Sequence, residues 1–210
     1  MKVCELLLQD LSFGKGQLIL VGGRPAMGKT SFARSVSLDL AFKGYKIGYY
    51  SLGHKREEWL ECASKKMVAE DIANISIEIQ DEVPRTVSDI ENSCNGQIYD
   101  LVFVDYLQLI DREEDGIEEV VKALRRLADK MNIPIIVLSQ LSRKIEERED
   151  PIPLVNDLKS GGIDADLFDQ VFLLYRGHYY DREEDPSKMM VVTKNGNEQL
   201  EWDYETLSVL

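Results

Sequence analysis

Apolar residues along this chain fall into short unbroken runs, separated by stretches where they recur every three or four positions. Leu18-Ile19-Leu20-Val21, Leu101-Val102-Phe103-Val104, Pro134-Ile135-Ile136-Val137-Leu138-Ser139 and Val171-Phe172-Leu173-Leu174-Tyr175 have strand length and no polar alternation. Lys46-Ile47-Gly48-Tyr49-Tyr50-Ser51-Leu52 reads as another buried strand. A strand that is apolar on both sides is covered on both faces, which predicts a parallel sheet between layers of helices. The intervening segments supply the helices. Phe32, Ala33, Val36 and Leu40 share one face of a first helix, and Gly44 marks its stop. Trp59, Leu60, Ala63 and Met67 mark a second helix, and a short third runs from Thr86 to about Cys94. Ile117, Val120, Val121, Leu124, Leu127, Ala128 and Met131 form the stripe of a long amphipathic helix over 116–132. Ile75, Ile77 and Ile79 alternate as one more strand, and 189–193, Asn195-Gly196 and 200–204 predict a terminal hairpin. From 141 to 166 the pattern is polar and predicts a long, weakly structured loop. Residues 1–210 are thus expected to form a single α/β domain: a mostly parallel sheet flanked by helices, with a C-terminal β-hairpin.

The first strand–helix junction carries the chemistry. Gly23-Arg24-Pro25-Ala26-Met27-Gly28-Lys29-Thr30 matches G-x-x-x-x-G-K-[ST], the Walker A phosphate loop, with a strand before it and a helix after it. Its glycines let the backbone wrap until successive N–H groups converge on phosphate oxygens at a helix N-terminus. Lys29 is expected to neutralise the β- and γ-phosphates of ATP, and the Thr30 hydroxyl to ligate Mg²⁺. Gly23 through Thr30, with Ser31 in the same first helical turn, form the expected nucleotide-binding set. Asp105 closes an apolar strand at its carboxyl edge, where ligands sit in open α/β sheets. An acid there reads as the Walker B aspartate that holds Mg²⁺; its plainer reading is a helix N-cap or a solvated strand end. Gln140 ends the next strand in the same way. Its amide is placed to sense a γ-phosphate, or simply to close the strand.

Composition narrows the field. The chain has 210 residues, enough for one domain with a sizeable core. Its net charge of −13, with acid concentrated at 111–115, 146–150 and 181–185, argues against tight DNA binding by the isolated domain. Cys4, Cys62 and Cys94 form no C-x-x-C, and His54 and His178 are too few for a histidine metal site. Met1-Lys2-Val3-Cys4 opens no signal peptide, and no apolar run has transmembrane length, so a cytoplasmic protein without membrane attachment is expected.

Taken together, the phosphate loop, Tyr50-Ser51-Leu52, Val104-Asp105-Tyr106-Leu107-Gln108-Leu109 and Leu138-Ser139-Gln140-Leu141-Ser142-Arg143 resemble the C-terminal motor domain of DnaB-type replicative helicases, which are RecA-like ATPases. The resemblance continues through Glu147-Arg148, Asp157-Leu158-Lys159-Ser160-Gly161, Ala165-Asp166 and Leu174-Tyr175-Arg176. It covers nearly the whole chain in order. It implies a RecA-like P-loop fold, a homo-hexameric ring with ATP and Mg²⁺ at subunit interfaces, and single-stranded DNA in the channel. By the same resemblance Arg143, Lys159 and Gly161 face DNA.

Three departures from the family pattern matter. The family's strand ends Ser-Leu-Glu, whose glutamate polarises the attacking water; here it ends Ser51-Leu52-Gly53. Losing a positioned base costs orders of magnitude in rate. The family's Lys-x-Arg-Asn-Gly, which reaches into the neighbouring subunit's ATP, is reduced to Thr193-Lys194-Asn195-Gly196. Lys194 is left as the trans cation, without the fork of an arginine. The family's N-terminal domain is not expected in this chain. The leading expectation is an ATP-binding motor-type domain with weakened DNA-dependent hydrolysis. The alternatives are a non-catalytic nucleotide-dependent module that assembles with a helicase-related partner, and a RecA/KaiC-like ATPase acting on protein.

Overall fold

The computed structural model describes residues 16–64, 75–82, 86–111, 116–194, 196–203 and 208–209. Met67, Asn195 and Tyr204, placed above in a helix, a turn and a strand, lie outside them, as do residues 1–4. Strands β1 (Leu18–Gly23), β2 (Ile47–Ser51), β3 (Ile77–Gln80), β4 (Leu101–Asp105), β5 (Ile135–Gln140), β6 (Gln170–Tyr175), β7 (Lys188–Thr193), β8 (Gly196–Asp203) and β9 (Ser208–Val209) are ordered β3-β2-β4-β5-β1-β6-β7-β8-β9. The six from β3 to β6 in that order pair in parallel, and the last three pair antiparallel. Helices α1 (Lys29–Phe42), α2 (Arg56–Ser64), α3 (Val87–Cys94), α4 (Gly116–Met131) and the one-turn α5 (Gly177–Tyr180) fill the crossovers.

The unbroken apolar runs explain the layering. In β1, Ile19 and Val21 point to one face, where they meet Phe32, Val36 and Leu40 of α1 and Trp59 of α2. Leu18 and Leu20 point to the other, against Val121, Leu124 and Ala128 of α4. Every residue of β1, β2 and β4 is buried. Each large aliphatic side chain buried this way contributes about 1.5–3 kcal/mol. At the N-terminus of α3 the Thr86 hydroxyl accepts from the Asp89 N–H while the Asp89 carboxylate takes the Thr86 N–H, a closed capping box.

Three expectations need correction. Ile75 precedes β3 rather than belonging to it. The hairpin pairs Thr193 with Gly196, so Gly196 already belongs to the strand rather than to the turn. The segment from 141 to 166 is not weakly structured. It forms three 3₁₀ turns, Arg143–Glu147, Val155–Gly161 and Ala165–Leu167, with Ile145 of the first, Leu158 of the second and Ile163 between the last two buried. The Arg148 guanidinium clasps Asp157 through bonds of 2.8 and 3.1 Å and donates to the Ile152 carbonyl, closing the segment on itself.

Candidate functional site

The carboxyl ends of β1, β4 and β5 meet at one edge of the sheet. Between β1 and α1 the loop turns on two left-handed residues, Ala26 (φ 64) and Gly28 (φ 85). At Gly23 the absent side chain matters for another reason, since a Cβ would lie 3.1 Å from the Leu174 carbonyl on β6. Gly28 accepts the first helical bond, from Phe32 N–H at 2.8 Å, and no side chain caps α1. The first-turn N–H groups, those of Lys29, Thr30 and Ser31 among them, therefore leave the helix end without a side-chain acceptor. Met27 is buried in the core and anchors the loop, whereas Pro25 is exposed.

Two cross-ties hold the loop. Arg24, only 6% exposed, donates from Nε to Glu146 (3.0 Å) and from Nη1 to the Leu141 carbonyl (3.0 Å), beyond the end of β5. On the other flank Arg176, beyond β6, donates from Nη1 to the Ala26 carbonyl at 3.3 Å. Lys29 folds inward and donates from Nζ to the Arg24 carbonyl at 3.0 Å. Burial lowers its ammonium to about 8, with the Asp105 charge pulling the other way.

Asp105 stands beside Ser51 in the β2–β4 register and is 1% exposed. Its Oδ1 accepts from the Thr30 hydroxyl (3.3 Å) and its Oδ2 from the Tyr49 hydroxyl (3.0 Å). Burial raises its carboxyl pKa, opposed by those two bonds and by the charges of His54 and Arg34. Two hard oxygens, a threonine hydroxyl and a buried carboxylate, thus converge from elements 75 positions apart. That donor set fits Mg²⁺, which takes one or two protein oxygens and completes its shell with phosphate and water. Among the described residues no three His, Cys, Asp or Glu side chains gather into a further metal cluster.

Gln140 pairs with Gly23 in the β1–β5 register, so it lies alongside the start of the loop with its side chain exposed. Its backbone is clamped by Gln108, whose Nε2 donates to the Gln140 carbonyl (3.0 Å) and whose Oε1 accepts the Gln140 N–H (3.0 Å). Gln108 Nε2 also reaches the Ser139 hydroxyl at 2.9 Å. The loop, Thr30, Asp105 and Gln140 therefore come together. Arg143, Lys159 and Gly161 are exposed on the 3₁₀ segment that follows β5. Lys194 lies on the hairpin, with its Nζ bonded to the Phe168 carbonyl at 2.8 Å. Four contributors were given no role from the sequence, although Gln108 and Arg176 fall within the motifs that carry the resemblance: Tyr49, Gln108, Glu146 and Arg176. Tyr49 sits inside an apolar run and reads as core. The other three act through partners that only the sheet register brings near.

A parallel sheet with a phosphate loop at its central strand and an acid two strands away defines a RecA-like P-loop ATPase fold. The chain matches the model of the DnaB-like helicase C terminal domain over residues 54–202, a span that begins immediately after Gly53 and does not include the phosphate loop. The protein belongs to that family. The replicative DNA helicase DnaB of Geobacillus stearothermophilus is 29% identical over 231 aligned residues, covering 92% of this chain and 51% of the relative. The chain spans about half the length of the curated relatives it matches. Two solved structures share the fold at 24% identity. One is an ATPase domain, with a TM-score of 0.81 over 93% of this chain and 85% of its own. The other, a DnaB-like replicative helicase described with its interactions with primase, has a TM-score of 0.83 over 94% and 58%. No helix among the described residues is long and apolar enough to cross a membrane.

Proposed function

We propose that the chain is an ATP-binding, motor-type domain in which Lys29 and the first-turn N–H groups hold the phosphates. Thr30 and Asp105 hold Mg²⁺, and Gln140 reads the γ-phosphate. A bound ion would neutralise phosphate charge there, held by the Thr30 hydroxyl and the Asp105 carboxylate. The observation that carries the reading is the 3.3 Å approach of the Thr30 hydroxyl to Asp105, beside a lysine whose ammonium folds into the loop to bond the Arg24 carbonyl. Gly53 and the single Lys194 support a weakened rate of hydrolysis rather than full motor activity. Arg143, Lys159 and Gly161 are the candidate contacts to single-stranded DNA, with avidity supplied by a homo-hexameric ring. Calorimetry with Mg·ATP tests the site: Lys29→Ala should weaken binding at least tenfold, and equal affinity would place the nucleotide elsewhere. The second reading, a non-catalytic nucleotide-dependent module assembling with a helicase-related partner, draws on the same Gly53 and on the net charge of −13.

A further inference from the structure

At the carboxyl end of β2, beside Asp105, the position where the resembling family carries a carboxylate has no side chain. The Gly53 backbone is not in the left-handed region, so its φ does not require glycine. Packing is the obstacle. A Cβ there would lie 3.1 Å from Leu109 Cδ1 and 3.3 Å from Tyr106 Cε1. Gly53 itself offers no group to activate water, which directs attention to the side chains beside it.

His54 is the adjacent residue, and its placement is fixed from two sides. Leu52 N–H donates to the Asp105 carbonyl at 2.7 Å, and buried Ser51 lies in register with Asp105. The Ser51 hydroxyl in turn donates to the His54 carbonyl at 2.7 Å, folding the β2–α2 loop back onto the strand end. The ring then meets Glu58 in the first turn of α2, with Nδ1 3.0 Å from Oε2. That bond holds the Glu58 carboxyl below its ordinary range. Because Ser51 pairs with Asp105 and holds the His54 carbonyl, the loop carrying His54 leaves the sheet beside the proposed magnesium carboxylate. With Nδ1 engaged by a carboxylate, Nε2 is the nitrogen left to act.

We infer that His54, oriented by Glu58, is the general base that activates water for attack on the γ-phosphate in this chain. The inference rests on the phosphate-loop reading above. The neutral ring donates Nδ1–H to Glu58 and accepts a water proton at Nε2 as the water oxygen bonds to the γ-phosphorus. The bond from that phosphorus to the β–γ bridging oxygen breaks, and its electron pair leaves with ADP. Nε2 then returns the proton to the departing phosphate. His54 is the catalytic residue and Glu58 a positioning residue, the division of labour of any carboxylate–histidine pair. Their side chains are 41% and 56% exposed, and an exposed pair of that kind adds little to folding. A purely structural role would leave turnover unmoved.

The test uses the full chain with saturating Mg·ATP, reading kcat, KM and the affinity for a non-hydrolysable ATP analogue. His54→Ala should lower kcat about a hundredfold while analogue affinity changes less than about twofold. Added imidazole should recover part of that loss, and His54→Gln should reproduce the loss without the recovery. Glu58→Gln should lower kcat about tenfold with KM unchanged, and Glu58→Asp should regain part of it. Unchanged kcat in His54→Ala, a loss that imidazole does not touch, or a wild-type chain that binds the analogue without turning over ATP each overturn the role of His54. A wild-type chain that binds no analogue overturns the phosphate-loop reading along with it.

Discussion

Lys29 holds its proton only weakly, because burial in the loop removes water and its ammonium is bonded to a neutral carbonyl, that of Arg24, rather than to an anion. Its ammonium is lowered from the ordinary 10.5 to about 8 by burial. Between those two values the unfolded chain carries a proton that the folded chain has lost, so the residue's contribution to stability rises with pH across that window. Below about pH 8 the buried charge weighs against folding. Phosphate would reverse the balance by stabilising the ammonium. ATP binding at about pH 8.5 should therefore take up a fraction of a proton, seen as a binding heat that depends on the buffer's ionisation enthalpy. Lys29→Met should abolish that dependence, and an uptake that survives the substitution would assign the proton to another group. Lys29, Thr30 and Asp105 were legible in the sequence because a phosphate loop is contiguous and a strand end is visible as the end of an apolar run. Gln108 and Tyr49 were not. Their partners lie 32 and 56 positions away, at Gln140 and Asp105, and only the strand register makes them neighbours. The approach of a Cβ at Gly53 to Leu109 and Tyr106 is equally invisible without coordinates.

At the scale of elements, the strands and α4 follow directly from periodicity, since one stripe of six buried residues on α4 admits no other arrangement. The segment from 141 to 166 misled for a physical reason. Ile145, Leu158 and Ile163 are too widely spaced to register as a helix or a strand, yet each is buried. What orders the segment is polar closure. Asp157 accepts two bonds from Arg148 and a third, of 2.7 Å, from the Leu154 N–H. Hydrogen bonds to a charged group contribute about 1.5–3 kcal/mol each net of the exchange with water, and this carboxylate is mostly buried. Asp157→Asn should cost about 1–2 kcal/mol in urea denaturation. It should also make the segment the first site of limited proteolysis. Cleavage elsewhere first, or unchanged stability, would mean that the buried isoleucines and Leu158 suffice.

For the molecule as a whole, charge and shape pull in opposite directions. A net charge of −13 repels a polyanion, while the exposed Arg143 and Lys159 offer a few cationic contacts per chain. Isolated monomers should bind single-stranded DNA weakly and lose it steeply with salt. Tight binding by a proven monomer that persists in high salt would mean that DNA binding does not depend on a ring. The strand order has a further consequence. Because β1 lies between β5 and β6, the phosphate loop is joined to both flanks, through Arg24 to Leu141 and Glu146 and through Arg176 to Ala26. A ligand that stiffens the loop is thus felt in two directions at once, like a load on the middle rung of a ladder. Amide hydrogen exchange in 141–148 and 176–180 should slow together when ATP is added. In Arg24→Ala the first stretch should lose that response and the second keep it, so that a single arginine decides whether news of the nucleotide reaches the segment carrying Arg143 and Lys159.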